Sequence, residues 1–291
     1  MMKKKILVTG GAGFIGSNLC ERLASDVNND VYSLDNYFTG SEKNHVENVT
    51  YIKGSTADID TLIDFTPDII FHLGEYSRVE QSFDDIEKVW RFNKDGIFGV
   101  LQFVRKTGAK LIYSGSSTKF ADGGIGSNQS PYAWSKSTNT QLVQNYADWY
   151  GIEYAITYFY NVYGRREIQT GKYATLIALF KEKMLNREVL TVVSPGTQQR
   201  NFTHIDDTVD ALILIAEKGQ GDEYGIGSAE AYTVLDIAKM FDAKINMLPE
   251  RKGNRMVAEV VTAKTTALGW SPTRTVKEYI EEQRANNWKG V

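Results

Sequence analysis

The chain begins with short apolar runs that alternate with a helical pattern. Residues 5–9 are an apolar run followed by glycines, residues 14–25 carry apolar positions at helical spacing, and residues 30–35 are typical of a second strand. Strand, glycine turn, helix and strand within about 30 residues predict a βαβ unit with parallel strands and a right-handed crossover.

The same alternation continues to about residue 160. The run 68–73 is apolar enough for a strand that is buried on both faces. This pattern predicts the α/β class, with a doubly wound parallel sheet of the Rossmann type. The other predicted strands lie at residues 50–53, 110–114 and 152–159, and the predicted helices at residues 89–106 and 131–150.

After residue 160 the rhythm changes. Two short helices, a Gly/Pro turn at residues 194–196 and a helix near residues 276–286 predict a smaller lobe. Residues 204–217 predict a helix that returns to the main domain, so the two parts are interleaved. The division we expect is a Rossmann domain made of residues 1–160 with 201–222, and a smaller C-terminal substrate-binding lobe made of residues 161–200 with 223–291.

Charge and composition narrow the class of protein. The 291 residues carry a formal net charge of -3 and no obvious basic stripe, so we do not expect a nucleic-acid binder. Cys20 is the only cysteine, which excludes an intrachain disulfide and a cysteine zinc cluster. We expect no metal site and a reducing, cytoplasmic setting. No apolar run approaches the roughly 20 residues of a membrane span, so no membrane association is expected.

A glycine-rich turn between the first strand and the first helix predicts a dinucleotide site. Gly10 lets the chain turn, Gly13 lets the backbone approach a pyrophosphate, and Gly16 allows the helix to pack closely on the strand. The helix opens at Phe14 and Ile15, where free N–H groups and the positive end of the helix dipole favour phosphates. The alternative is a glycine turn that only connects the two elements.

An acidic residue at the end of the second strand favours NAD as the cofactor. Asp35 lies 19 residues after Gly16, where its carboxylate is placed to accept hydrogen bonds from the adenosine ribose hydroxyls. The same charge would repel a 2′-phosphate, so NAD is favoured over NADP. The alternative is a solvated carboxylate at a strand end.

Three side chains form the candidate chemical site. Tyr132 and Lys136 lie four residues apart at the start of a predicted helix and therefore share one face. A nearby ammonium stabilises a phenolate, which would let a tyrosine act as a base at neutral pH. Ser116 follows the 110–114 strand, at the edge where open α/β sheets bind ligands. The alternative for the pair is a packed ring beside a solvated lysine.

Taken together, these motifs resemble the extended short-chain dehydrogenases of the NAD-dependent epimerase/dehydratase family. The resemblance covers nearly the whole chain. The segments that carry it are Thr9–Gly16, Asp35-Asn36, Phe71-His72-Leu73, Asn93, Ser116, Ser130–Lys136, Tyr158–Gly164, Arg200–Asp207 and Leu268-Gly269-Trp270.

The resemblance implies roles for the residues of the chemical site. Ser116, Tyr132 and Lys136 would be catalytic, and Asn93 would support the proton path from a bent helix. The alternative for Asn93 is an asparagine on a helix surface. Besides the glycine turn and Asp35, the NAD contacts that the resemblance implies are Asn36, Leu73, Tyr132 and Lys136.

The resemblance also implies a nucleotide-sugar substrate, bound by Ser116 at the sugar and by further residues at the diphosphate. Asn161 and Arg200 would contact the diphosphate, and Arg251 or Arg255 would add a second phosphate contact, because a guanidinium binds phosphate through two N–H groups. The alternative for Arg200 is a surface ion pair with an aspartate at 206–207. The family resemblance further implies a homodimer, with the 89–106 and 131–150 helices pairing across a two-fold axis.

The residues after Ser116 favour one reaction of the family. Sugar dehydratases that the chain resembles typically carry Asp-Glu there, whereas this chain has Ser117 and Thr118, which cannot act as carboxylic acids. We therefore expect a 4-epimerase that acts through a transient 4-keto sugar. The alternatives are a nucleotide-sugar dehydrogenase, reductase or dehydratase, and a non-catalytic NAD-binding protein. Glu75 replaces one of a usual pair of alanines, and we interpret it as a carboxylate on the rim of the site rather than an acid–base group.

Overall fold

Short strands supply the framework of the molecule. The structure, a computed structural model, describes residues 3–120, 126–249 and 260–289. Its strands are β1 (Lys4–Thr9), β2 (Asn29–Asp35), β3 (Val49–Lys53), β4 (Ile69–His72), β5 (Lys110–Ser114), β6 (Tyr154–Phe159), β7 (Val162–Tyr163), β8 (Leu190–Val193), β9 (Gln199–Asn201), β10 (Thr203–His204), β11 (Gly221–Ile226), β12 (Ala231–Thr233) and β13 (Ile245–Leu248).

The helices lie between these strands. α3 and α4 are separated by a π-helical turn at Trp90–Asp95, so together they correspond to the bent helix that was predicted around residues 89–106. The helices are α1 (Phe14–Ala24), α2 (Ile59–Leu62), α3 (Ile86–Val89), α4 (Gly96–Thr107), α5 (Pro131–Tyr150), α6 (Leu176–Leu185), α7 (Ile205–Lys218), α8 (Val234–Met240), α9 (Ala263–Ala267) and α10 (Val276–Ala285).

A parallel sheet forms the centre of the main domain. In the described residues its strand order is β11-β6-β5-β4-β1-β2-β3, and each neighbouring pair runs parallel. The order reverses between β1 and β4, so a crevice opens above their carboxyl ends. The predicted doubly wound α/β fold is confirmed.

Helices cover both faces of the sheet, which explains the apolar runs. Along β1, Ile6 and Val8 pack into a core that includes residues of α1 and α7. Leu7 points the other way and packs into a second core with residues of α4 and α5. A strand buried on both faces cannot alternate apolar and polar positions, and β4 is accordingly buried along its whole length.

A third core belongs to the smaller lobe. It joins residues from α6, α8 and α10, with Phe180, Phe241 and Ile280 among its buried side chains. The division is not quite the expected one, because β11 adds to the sheet beside β6. Residues 223–226 therefore belong to the main sheet and not to the lobe. Trp270 packs in the first core, together with Ile6 and Val8 of β1. The C-terminal part of the chain therefore contributes to this core of the main domain as well as, through α10, to the core of the lobe.

Candidate active site

The glycine turn after β1 is held by close packing on its own backbone and on the end of β4. Gly10 has φ +74°, and a Cβ there would lie 2.9 Å from the backbone of Gly74. A Cβ on Gly16 would lie 2.1 Å from the carbonyl oxygen of Gly10, so only glycine allows α1 to begin this close to the turn. A Cβ on Gly13 would meet only that carbonyl, at 3.2 Å, and would otherwise enter the space in front of the turn.

That open space fits a pyrophosphate. Gly13 is the N-terminal cap of α1, and Phe14 and Ile15 form its first turn, where N–H groups have no acceptor within the helix. Leu73, at the end of β4, donates its N–H to the carbonyl of Thr9 at 3.2 Å and borders the same crevice. The predicted cofactor residues at the ends of β1 and β4 therefore lie together.

Asp35 is a buried carboxylate that faces the glycine turn. It accepts hydrogen bonds from the N–H groups of Ala12 at 2.9 Å and Tyr37 at 2.7 Å, and only 6% of it is exposed. Burial raises the pKa of Asp35, and these two N–H groups oppose that effect. The interpretation as a solvated carboxylate is therefore wrong, and the unused lone pairs fit the ribose hydroxyls of NAD. Asn36, which follows, caps its own loop by accepting from the N–H of Phe38.

The sequence at the start of α5 explains where Tyr132 and Lys136 lie. The Ser130 hydroxyl accepts from the N–H of Ala133 at 3.0 Å, and Pro131 occupies the first helical turn. Tyr132 is partly buried, whereas Lys136, one turn later, is buried. The Lys136 ammonium donates to the carbonyl of Ser114 at 2.5 Å, which places it at the carboxyl end of β5.

Ser116 lies two residues beyond that carbonyl and is also buried. Its hydroxyl oxygen accepts hydrogen bonds from the Thr118 hydroxyl at 2.9 Å and the Thr118 N–H at 3.3 Å. Thr118 stands at one of the two positions that typically carry Asp-Glu in the dehydratases. Here its hydroxyl donates a hydrogen bond that orients Ser116. The Ser116 proton remains available for a sugar oxygen in the crevice.

Glu75 is buried beside Lys136, so its interpretation as a rim carboxylate is wrong. Its side chain is 1% exposed and forms an ion pair with Lys136 at 2.5 Å. Tyr113 and Asn139 donate to it at 3.1 Å each, and the ring of His72 lies 3.4 Å away. Burial alone would raise the pKa of Glu75, but Lys136 and His72 outweigh it and lower the pKa to about 2.

Asn93 lies in the π-helical turn and is completely buried, so the helix-surface alternative is wrong. Its side chain donates to the Ser135 hydroxyl at 2.9 Å and accepts from the N–H of Tyr76 at 2.6 Å. Its carbonyl accepts from Asn139, which also contacts Glu75. The π turn therefore connects α5 with the segment after β4.

The predicted diphosphate residues lie in the second half of the chain. Asn161, at φ +35°, donates to the carbonyl of Asn201 at 2.9 Å, which brings it beside Arg200. The Arg200 guanidinium donates to the carbonyl of Gln199 at 2.7 Å. Asp206 pairs with Arg165 and Arg274. Arg251 and Arg255 lie outside the described residues.

Sequence reasoning missed two ionisable residues, Arg78 and Glu167, of which Arg78 interacts electrostatically with the candidate base Tyr132. The Arg78 guanidinium donates twice to the carbonyl of Tyr173, at 3.0 and 2.6 Å. Burial lowers the pKa of Arg78, and the nearby Tyr132 and Glu167 oppose this. Burial raises the pKa of Glu167 to about 7, although it accepts from the N–H of Gly164 and the hydroxyl of Thr175. No motif marked either residue, because their burial depends on contacts between distant segments.

Comparison with known proteins assigns the family. The pattern of the NAD dependent epimerase/dehydratase family matches residues 6–227. The chain belongs to this family, which confirms the resemblance inferred from the sequence, and its cofactor is NAD. When bound, NAD supplies hydride acceptor and donor chemistry.

Individual relatives span almost the same length as this chain. A putative UDP-glucose 4-epimerase of Methanocaldococcus jannaschii is 30% identical, with 97% of each chain covered. UDP-glucuronic acid decarboxylase 3 of Arabidopsis thaliana is 28% identical over 94% of this chain and 86% of its own. The crystal structure of Thermus thermophilus UDP-glucose 4-epimerase with NAD is 25% identical, covers 99% of this chain and 100% of its own, and superposes with a TM-score of 0.88. Within the described part of this chain, the helices are too short or too polar for any of them to span a membrane.

Proposed function

We propose that this protein is an NAD-dependent nucleotide-sugar 4-epimerase. Its substrate is a UDP-hexose, since the relatives named above act on UDP-sugars according to their names. Tyr132 is the acid–base residue, and Ser116 and Lys136 assist it. The proposal agrees with the order of motifs along the chain, in which a dinucleotide turn precedes a serine at a strand end and a Tyr–Lys helix.

The observation that carries the proposal is the lack of a carboxylic acid next to Ser116. Thr118 occupies that position and donates to the Ser116 oxygen, so within the described residues 116–120 no carboxylic acid can protonate a departing hydroxyl. Glu75 cannot substitute for it, because its lowered pKa keeps it ionised and its oxygens already accept hydrogen bonds from its neighbours. The site is therefore equipped to move a proton on and off one sugar oxygen.

The chain's residues divide this chemistry between them. Ser116 donates a hydrogen bond to the C4 oxygen of the sugar, which orients the bond to be broken. Tyr132 accepts the proton of that hydroxyl while hydride leaves C4, and the sugar becomes a 4-keto sugar. Lys136 provides positive charge next to the phenol. The keto sugar then rotates within the site and presents the opposite face of C4. Tyr132 returns the proton, and hydride returns to that opposite face.

Because proton and hydride both return, the reaction needs no net oxidant. The test is to incubate purified protein with UDP-hexoses and UDP-N-acetylhexosamines, without added cofactor, and to follow the products by proton NMR. Interconversion of a C4-epimeric pair at constant NADH absorbance supports the proposal. Stoichiometric formation of NADH, or loss of water or carbon dioxide from the sugar, contradicts it.

Replacing the acid–base residue separates chemistry from binding. Tyr132→Phe removes only the phenolic hydroxyl, so we expect turnover to fall at least about 100-fold while NAD stays bound. Tyr150→Phe is the matched control, because it makes the same change at the far, exposed end of α5. Unchanged activity in Tyr132→Phe would remove this residue from the mechanism.

A second candidate function, dehydration or decarboxylation, is favoured by one observation. Glu167 is a buried carboxyl whose pKa is raised to about 7, so it is partly protonated at neutral pH. Arg78 interacts electrostatically with both Glu167 and Tyr132, so this carboxyl and the phenol share a charged neighbour. The NMR experiment distinguishes the two functions, because a dehydratase or decarboxylase changes the mass of the sugar and an epimerase does not.

We also propose that the protein is a homodimer formed through the helical segment 89–106 and α5. Large apolar side chains are exposed on this face, and the rings of Trp90 and Trp134 stack there at 6.0 Å. Phe98 on α4 and Trp149 on α5 are exposed as well. Exposed aromatic residues that cluster on neighbouring helices are typical of an interface, and a two-fold axis would bury them against themselves.

A further inference from the structure

The ion pair between Glu75 and Lys136 is isolated from solvent. Side-chain exposure is 1% for Glu75 and 4% for Lys136, and their charged atoms lie 2.5 Å apart. A buried carboxylate is costly unless charge and hydrogen bonds compensate it. Here both kinds of compensation are present, since Tyr113 and Asn139 donate to the carboxylate and His72 lies against it. Such a complete set of partners fixes the geometry of the pair.

This pair limits what the Lys136 ammonium can do. A lysine ammonium has three N–H donors. One donates to Glu75 and a second to the carbonyl of Ser114. A single donor is left for the phenol of Tyr132 or for the nicotinamide ribose. The lysine can therefore contact only one of these groups at a time, unless Glu75 releases it.

We propose that Glu75 is the internal counter-ion of Lys136, a positioning residue that fixes the ammonium and weakens its positive field at Tyr132. The proposal rests on the proposed function, in which Tyr132 is the acid–base residue. Glu75 does not take part in proton transfer. Its negative charge makes the lysine and the glutamate together neutral, so the phenolate of Tyr132 is stabilised less than by an unpaired ammonium.

Several other charged or titratable groups face this pair, and each belongs to a different element. His72 lies on β4, Tyr113 on β5 and Lys94 in the π turn, where its ammonium donates to the Asn139 that also contacts Glu75. Arg78, in the segment after β4, interacts electrostatically with Tyr132. These groups stay in place when Glu75 is changed, because each has a partner other than Glu75. For example, the His72 ring forms a hydrogen bond with the Thr9 hydroxyl, and the Arg78 guanidinium donates a hydrogen bond to the carbonyl of Tyr173.

The test measures the ionisation of Tyr132 directly. The chain has 16 tyrosines, so the phenolate absorbance near 295 nm is recorded against pH for each protein and for its Tyr132→Phe version, and the difference isolates Tyr132. Glu75→Gln keeps the shape of the side chain and an acceptor for Lys136 but removes the charge. We expect the midpoint at which the Tyr132 phenolate forms to fall by about one pH unit. The acid limb of the kcat/KM profile should move to lower pH by the same amount.

Asp222→Asn is the matched control. Asp222 also pairs with a lysine, Lys119, at 2.5 Å and accepts from Tyr158, but it does not contact Lys136. This control should leave the Tyr132 midpoint unchanged at a comparable cost in stability. Should Glu75→Gln not fold, Glu75→Ala, which lets water replace the carboxylate, is expected to shift the midpoint in the same direction.

The outcomes separate this inference from the proposed function. The spectroscopic midpoint needs no substrate, so a shift without any epimerase activity supports the role of Glu75 and refutes the proposed reaction. Epimerase activity with an unmoved or raised midpoint in both Glu75 variants overturns the inference and leaves the reaction intact. A shift of the same size in Asp222→Asn also overturns it, because the effect would then be general.

Discussion

The glycine turn offers two substitutions that should fail for different reasons. In Gly16→Ala the new methyl group would lie 2.1 Å from the Gly10 carbonyl oxygen and 2.7 Å from its carbon. Both atoms are backbone, and Gly10 is itself packed against Gly74, so the contact cannot be relieved by turning a side chain. Overpacking of this kind costs about 3 kcal/mol, at the upper end of the usual range. At roughly 2–4 °C per kcal/mol, Tm should fall by about 6–12 °C.

Gly13→Ala should instead spare the fold and impair the cofactor site. The new methyl group meets one atom, the Gly10 carbonyl oxygen at 3.2 Å, and Gly13 has an extended backbone that alanine adopts. We expect a stability loss of about 1 kcal/mol or less, mainly because alanine is a poor helix cap. The methyl group occupies the space for the pyrophosphate, so NAD affinity should fall at least about tenfold.

The assay for both variants combines thermal unfolding with calorimetric titration of NAD into protein stripped of nucleotide. The order of effects is the decisive result: Gly16→Ala loses more stability, and Gly13→Ala loses affinity with its fold intact. A wild-type Tm for Gly16→Ala would show that the turn is not packed as described. Unchanged NAD affinity for Gly13→Ala would show that the pyrophosphate does not lie in front of this turn.

Three further predictions follow from charge and exposure. Asp35→Asn removes the charge beside the ribose, so the ratio of the Kd for NADP to that for NAD should fall about tenfold; an unchanged ratio contradicts the assignment. Glu167 has a pKa of about 7 in the folded protein against an ordinary 4.5, so its protonation stabilises the fold below pH 4.5 and that stability is lost as pH rises through 7. Above pH 7, Glu167→Gln should therefore have a larger free energy of unfolding than wild type, by up to about 3 kcal/mol, in urea titrations at several pH values. If the difference between the two proteins does not change with pH, the raised pKa is contradicted. Trp90→Glu should reduce the light-scattering mass from two chains to one, whereas Val27→Glu, which is also exposed but lies outside the 89–106 segment and α5, should not; a wild-type mass of one chain refutes the dimer.

The sequence predicted the sheet well where each strand is a short apolar run between turn signals. β5 and α5 have the predicted bounds, and β1, β2 and β3 differ by one residue at one end. β11 was missed because Gly221–Ile226 contains two glycines and two acidic residues, so neither alternation nor a continuous apolar run marks it. Its place in the sheet is decided by pairing with β6, a contact across more than 60 residues that local pattern does not encode.

Only the site residues that belong to recognisable sequence motifs could be predicted from the sequence. Gly10, Asp35 and Tyr132 belong to spacings with a known physical purpose, and the glycine and aspartate positions have the environment that this purpose requires. Glu75 belongs to no motif, and a lone carboxylate after a strand is usually exposed. Its burial results from Lys136 arriving from α5 and from Tyr113 and Asn139, none of which is near it in sequence.

The most direct test of the account is a crystal structure of the Tyr132→Phe protein with NAD and a UDP-hexose. We predict that the edge of ring 132 lies within about 4 Å of the C4 oxygen of the sugar, with the Ser116 hydroxyl within hydrogen-bond distance of the same oxygen and C4 facing the nicotinamide. A sugar bound with another carbon at the nicotinamide, or with the ring of residue 132 turned away from it, would contradict the proposed 4-epimerase.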